Sequence, residues 1–332
     1  MSLRLNSLRL STAIAIAITA IPVLAQDAPV KDVPANVEPA IATTPVARSE
    51  AGEASPALRA QILLERAWFS PGEIDGQWGS KSRKALSAFQ QVKGLTVTGE
   101  LDDASLAELD TDGAAALVNY TITEADAAGP FIKTPSSPEA KSKMKSIAFQ
   151  SAAEALGEKF HASPALLRKL NPGVALDAEG GTLVVPNVMD MAPLAIAAKI
   201  IVDKSDAALR LFDAEGNVYA QFPITSGSSE FPLPIGDWTI ETVTPDPSYS
   251  YDPALIAGAD KNDPKALLPP GPNGPVGTMW MGISKPHYGI HGTPEPGMIG
   301  RSQSSGCVRL TNWSATAVSK AVSVGMVVSM QE

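Results

Sequence analysis

Cys307 is the one cysteine in this chain of 332 residues, and it stands in the run SSGCVRLTN. Upstream, the run YGIHGT carries His291. A thiol and an imidazole brought together by a fold can work as nucleophile and base. The imidazole takes the thiol proton, and the thiolate attacks an acyl carbon. Gly306 precedes the cysteine, and a residue without Cβ lets backbone come close enough for amide N–H groups to hold an oxyanion. Two other readings of these residue types stay open. A single cysteine can be a small core hydrophobe. His287, His291 and Cys307 can also be three zinc ligands, although Pro286, Gly289 and Gly292 argue against a ligand-bearing helix and no acidic ligand motif accompanies them. One cysteine excludes an internal disulfide and a four-thiolate zinc site.

The elements that must position this pair read as strands. KIIVD, beginning at Lys199, is a short apolar run. In NVYAQFPIT, Val218, Ala220, Phe222 and Ile224 alternate with Tyr219, Gln221 and Pro223, after the turn DAEGN. GDWTIETVT, VGTMWMGI and the terminal GMVVSM continue the pattern, and NWSATAVSKAV is its one helix. Residues 198–332 are expected to form a mainly β sandwich of mixed sheets. Eight prolines fall between Pro245 and Pro275, with Tyr249 and Tyr251 among them. A loop of that length in a compact domain is expected to cover a substrate.

YGIHGT, its spacer and SSGCVRLTN together resemble the active-site signature of the L,D-transpeptidase catalytic family. That signature has a His-Gly pair, a spacer of this length, Ser/Thr-x-Gly-Cys, then an Arg and an Asn. PPGPNGPVGTMWMGI also looks like a segment of that family, and the likeness spans residues 199–330. The resemblance implies cysteine acyl transfer on peptidoglycan stem peptides, with no metal and no organic cofactor. It implies that Cys307 is the nucleophile and His291 the general base, with the amides of Gly306 and Cys307 in the oxyanion hole. Arg309, Asn312, Ser305 and Gly292 are its candidate substrate-binding residues. Arg309 would orient a carboxylate or the active-site loop, and Asn312 would brace the motif or cap a helix beginning at Trp313. Ser305 stands where many members have histidine, so the base role falls to His291 alone. His287 is expected to be structural or at the rim.

Ahead of this domain, Leu58, Ile62 and Leu63 give one apolar helical face. Ser80 is expected to cap a second helix bearing Leu86 and Phe89, and an aspartate to cap a third after the Thr-Gly turn. The run PGEIDGQWGSKSRKALSAFQ…GLTVTGELDDASLAEL resembles the small peptidoglycan-binding domain, here over residues 57–110. Residues 117–190 read strand, helix, helix, strand. KFHASPALLRKLNPG…GGTLVVPNV looks like the second half of a LysM repeat, but some 25 residues separate the first strand from those helices. His161, within it, reads as a helix-end or surface histidine. The expected fold class is therefore multidomain: a three-helix peptidoglycan-binding module, a LysM-like α+β middle domain and a β-sandwich catalytic domain.

Arg4 and Arg9 precede an apolar stretch from Leu10 to Leu24 that closes on small residues, the pattern of a secretory leader over 1–25. Residues 26–56, with five prolines and no period, read as a flexible linker. The expected place is the periplasm, in contact with the wall, without a membrane span after cleavage. The net charge is −9 and there is no long basic run, so nucleic acid is not an expected partner. Stem peptides and glycan are, and a wall-attached protein could be an acceptor. The expected reaction is 3→3 crosslinking in wall biogenesis and cell shape through a Cys307 thioester. Hydrolysis by the same acyl-enzyme, as an L,D-carboxypeptidase, attachment of a protein, and a non-catalytic wall-binding role are the alternatives. The binding module is expected to act as a tether that leaves the reacting atoms untouched.

Overall fold

The computed structural model describes residues 53–256 and 258–332. The expected leader and most of the expected linker lie outside the described residues.

Three helices come first. Helix α1 (Pro56–Arg66) starts with proline at its first position, and Ser55 caps it by accepting from the Leu58 N–H at 3.4 Å. Helix α2 (Ser80–Val92) begins at Ser80 itself. The expected serine cap is therefore corrected: the extended Gly79 is the N-cap and supplies no side chain. Helix α3 (Asp103–Leu109) is capped by Asp102, whose carboxylate accepts from the Ser105 N–H at 2.7 Å. Leu63, Leu64, Phe69, Leu86 and Phe89 are buried together between these helices.

The middle segment runs through β1 (Leu117–Thr121), α4 (Glu124–Ala128), α5 (Pro138–Ser142), α6 (Ala152–Lys159), α7 (Pro164–Leu170) and β2 (Thr182–Pro186). Strands β1 and β2 pair antiparallel, and α6 and α7 are capped by Ser151 and Ser163. Residues 129–150, which carry α5, depart from this unit and join the catalytic domain. Ile147 N–H donates to Pro270 O at 2.9 Å, and Asn273 N–H donates back to Ile147 O at 3.0 Å.

The remaining elements are β3 (Lys199–Asp203), β4 (Ala208–Phe212), β5 (Val218–Pro223), β6 (Thr225–Ser226), β7 (Gly236–Pro245), β8 (Tyr249–Tyr251), β9 (Ala266–Leu268), β10 (Met279–Ile283), β11 (Gly289–His291), β12 (Val308–Arg309), α8 (Asn312–Ala321) and β13 (Val327–Gln331). Nine of these strands form one mixed sheet in the order β5-β4-β3-β13-β7-β10-β11-β12-β6. Strand β7 belongs to both halves. Leu209, Leu211 and Val328 from one half share a buried cluster with Met281, Ile290 and Val308 from the other. The two layers of the β domain are thus the two halves of one sheet around a common core. The Pro-rich stretch is ordered into a separate antiparallel pair, β8 with β9.

The three parts are stitched together. After α1, Trp68–Ser70 lies along the edge strand β5: Ser70 N–H donates to Gln221 O, and Gln221 N–H to Trp68 O, both at 2.8 Å. Ile74 N–H donates to His161 O at 2.8 Å, and Ser163 N–H to Ile74 O at 2.9 Å. The module expected to tether the protein to the wall is thus also packed on the catalytic domain. Its backbone completes the edge of the catalytic sheet, which otherwise carries unpaired N–H and C=O groups.

Candidate active site

Strand pairing sets the site. Thr244 of β7 stands opposite Trp280 of β10, Trp280 opposite His291 of β11, and His291 opposite Arg309 of β12. Residues directly opposite across paired strands share a face, so these four form one row. Cys307 lies two residues before Arg309, and the period-2 alternation brings it to the same side. Thr244, Trp280, His291, Cys307 and Arg309 all line one cavity of about 820 Å³. The pair expected from spacing thus lines one cavity, with His291 on β11 and Cys307 just ahead of the parallel strand β12.

His291 is 4% exposed. Its Nδ1 lies 2.6 Å from Gly292 O. A carbonyl oxygen only accepts, so Nδ1 carries the proton and Nε2 is left as the basic nitrogen. The ring stacks on Trp280, with centroids 5.6 Å apart. That stacking depends on Gly289, because a Cβ there would stand 2.6 Å from Trp280 Cζ2. Burial, and then the Arg309 cation, push the imidazole pKa down to about 4. It is a neutral base at neutral pH.

The Cys307 thiol is pushed up by burial, while the Gly289 N–H and the Arg309 charge pull it down. Its Sγ donates to His287 O at 3.7 Å. Burial thus acts in one direction on both groups, favouring the neutral thiol and the neutral imidazole. Gly306 has φ +96, and a Cβ on it would stand 2.4 Å from Tyr288 Cε1. Only glycine fits that conformation and that gap. Arg309 Nη1 donates to Gln303 O at 3.1 Å, fixing the loop that leads to the cysteine.

Ser305 lines the cavity, and His287 stands at its wall with φ +70. Asn312 and Gly292 were expected to touch substrate, and the structure corrects both. Asn312 is 2% exposed and Gly292 is buried, and neither lines the cavity. Asn312 Oδ1 accepts from the Thr278 N–H at 3.2 Å, and its Nδ2 donates to Pro272 O at 3.2 Å. A Cβ on Gly292 would stand 2.1 Å from Asn312 Oδ1. The asparagine braces the loop between Pro272 and Thr278 and packs closely against Gly292. It does not cap α8; Thr311 does, accepting from the Ser314 N–H at 3.2 Å.

Sequence reasoning missed Ser304, Trp280 and residues 136–141. Ser304 Oγ donates to Cys307 O at 2.6 Å and accepts from the Gly227 N–H at 2.7 Å, which pins the cysteine loop to the strand end after β6. The doubled serine before Gly-Cys held that signal, but only the second serine was singled out. Tyr249, in the Pro-rich stretch, lines the cavity, and burial followed by the nearby thiol pushes its phenol up to about 12. It stays a neutral hydrogen-bonding group.

Residues 197–330 match the family model of the L,D-transpeptidase catalytic domain (YkuD), and residues 55–109 match a peptidoglycan binding domain model. A Bacillus subtilis protein named as an L,D-transpeptidase, YkuD, is 30% identical over 154 residues, which are 46% of this chain and 77% of that one. Its Bacillus licheniformis namesake is 27% identical over 53% of this chain and 92% of that one. Among solved structures, the L,D-transpeptidase of Xylanimonas cellulosilytica (residues 123–326) aligns with a TM-score of 0.38 at 16% identity, covering 86% of this chain and 97% of that one.

Proposed function

The chain belongs to the L,D-transpeptidase catalytic domain family, and from that premise we propose that it crosslinks peptidoglycan stem peptides through a thioester on Cys307. The observation that carries this reading is the His291 hydrogen bond to Gly292 O, which leaves Nε2 basic on the face it shares with Cys307. Rotation about the cysteine Cα–Cβ bond moves the thiol proton from His287 O toward Nε2. The thiolate attacks the carbonyl of the third stem residue, and amides at Gly306 and Cys307 hold the oxyanion. The intermediate collapses as the imidazolium returns its proton to the departing amine of the terminal D-alanine. An amine on a second stem then attacks the thioester, loses its proton to His291, and restores the thiol in a 3→3 crosslink. Arg309 favours the thiolate while holding the imidazole neutral, so one cation serves both partners.

The wall is the substrate, and the match over residues 55–109 supports a peptidoglycan-binding role for the helical module. An exported chain acting in the periplasm, with the leader at 1–25, fits that substrate. The test incubates the purified protein with disaccharide-tetrapeptides and reads products by mass. Crosslinked dimer with released D-alanine supports transpeptidation; tripeptide monomer alone assigns hydrolysis instead. Cys307→Ala should lose both products, and Cys307→Ser nearly so, because a hydroxyl needs stronger activation than a thiol. More than a few per cent of activity in Cys307→Ala would overturn the assignment.

A further inference from the structure

We propose that Lys141 is a substrate-binding residue that holds a side carboxylate of the donor peptide, brought into the active site by the 129–150 segment. This rests on the transpeptidase reading above and deepens it. Lys141 belongs to the middle segment, far from Cys307 in sequence, yet it lines the same cavity as Cys307 and Arg309. Its helix, α5, packs against β9 of the Pro-rich stretch. The segment is closed on itself by Ile132 N–H to Phe149 O at 2.9 Å. It is closed onto the catalytic domain by Ile147 with Pro270, and by Asn273 Nδ2 donating to Ala148 O at 3.1 Å. The fit is close, since a Cβ on Gly271 would stand 2.4 Å from Ile147 O. Lys141 is therefore held in the wall rather than carried on a free loop.

The charges around it indicate what it takes. Three aspartates line the cavity, and each is engaged within its own loop. Asp252 pairs with Lys265 at 2.6 Å, Asp263 accepts from Tyr251 OH at 3.0 Å, and Asp260 accepts from the Asn262 N–H at 2.9 Å. Asp252 is matched by Lys265, while Asp260 and Asp263 keep their charge and are held by hydrogen bonds within their loop. Lys141 and Arg309 are the lysine and arginine that line the cavity, and neither is ion-paired among the described residues. Arg309 lines the cavity with Cys307, and on the reaction proposed above it would meet the terminal carboxylate of the donor. Lys141, on the opposite segment, is left for a second carboxylate carried along the donor.

The experiment compares three disaccharide-tetrapeptide donors: side carboxylates free, side carboxylates as carboxamides, and terminal carboxylate as carboxamide. Steady-state release of the terminal residue gives kcat and KM. The wild type should prefer the free side carboxylates by about tenfold, mainly in KM. Lys141→Ala should lose that preference by weakening only the free donor, Lys141→Arg should keep it, and Lys141→Glu should reverse it. The penalty for a terminal carboxamide should be the same in wild type and Lys141→Ala. If Lys141→Ala keeps the side-chain preference, or loses the terminal one instead, the proposal fails while the reaction stands. A wild type that uses both side forms equally has the same meaning. A wild type that uses no tetrapeptide sinks the transpeptidase reading and this inference with it.

Discussion

His161 of the middle segment lies flat on Trp313 of the catalytic helix, with ring centroids 5.0 Å apart and planes 9° from parallel. From its other side, His161 Nδ1 meets Glu65 Oε1 of α1 at 2.8 Å. One histidine thus joins the helical module, the middle segment and the catalytic domain, beside the brace formed by Asn312.

That junction predicts cooperative unfolding. Residues 53–332 should melt in a single calorimetric transition. Trp313→Ala should cost about 3–5 kcal/mol, since the indole is 9% exposed. Removing residues 53–110 should lower the melting temperature and turnover of small soluble stem peptides together, because the edge of β5 loses its partner. Two separate transitions, or a truncated protein with full soluble activity, would show that the module is only a tether.

A second expectation concerns Gly289. Its missing Cβ gives Trp280 the space to stack on His291. Gly289→Ala should displace the indole, loosen the imidazole and slow acylation by about tenfold or more, with only a modest loss of melting temperature. Trp280→Ala should slow acylation similarly. The measurement is the rate of adduct formation with a carbapenem, read by intact mass. An unchanged rate in both variants would show that the stacking does not position the base.

What the sequence disclosed and what it hid divide along chain distance. That Cys307 and His291 line one cavity was legible because their flanks are short local motifs and β11 pairs directly with β12. Asp102 was legible as a cap because capping acts over three residues. The place of Lys141 in that cavity was not, because it depends on backbone bonds between Ile147 and Pro270 that leave no side-chain pattern. The docking of Ser70 on Gln221 was hidden for the same reason. Asn312 and Thr311 are adjacent and both suit a cap, so only geometry could separate the cap from the brace.

Glu158 makes the junction sensitive to pH. Burial, opposed by a hydrogen bond with Asn312 and reinforced by Glu154 and Glu73, pushes its carboxyl up to about 8, against 4.5 for the ordinary group. The folded state therefore keeps this proton while the unfolded chain loses it. Its stabilisation is complete below pH 4.5 and declines as pH rises toward 8. Glu158→Gln should remove that slope. The melting temperature of the wild type should fall more between pH 5 and pH 8 than that of Glu158→Gln, by the equivalent of about 3–4 kcal/mol. Equal slopes would show that Glu158 ionises normally in the fold.

His291 sets the acid limit of the reaction. Its pKa of about 4 lies below the ordinary 6.5, so the imidazole stays a neutral base well into the acid range. The sign for stability follows from the same difference. Below pH 6.5 the unfolded chain takes up a proton that the folded one refuses, so His291's contribution is lost as pH falls from 6.5 toward 4. The acylation rate should hold its value from about pH 7 down to about pH 5 and fall only near pH 4, with the limb belonging to the Cys–His couple. Arg309→Gln removes a cation that lowers both partners, so its acid limb should move toward neutrality and its thiolate should form at higher pH. His291→Gln should lose about 10²–10⁴ in rate and recover part of it at high pH, where hydroxide makes the thiolate directly. His287→Gln should do far less, because its contact with the thiol is made by the backbone carbonyl, which the variant keeps. Rates measured from pH 4 to pH 10 on the wild type and these variants decide the matter. A wild-type acid limb between pH 6 and pH 7, or a dead His287→Gln beside a nearly normal His291→Gln, would remove His291 from the base role.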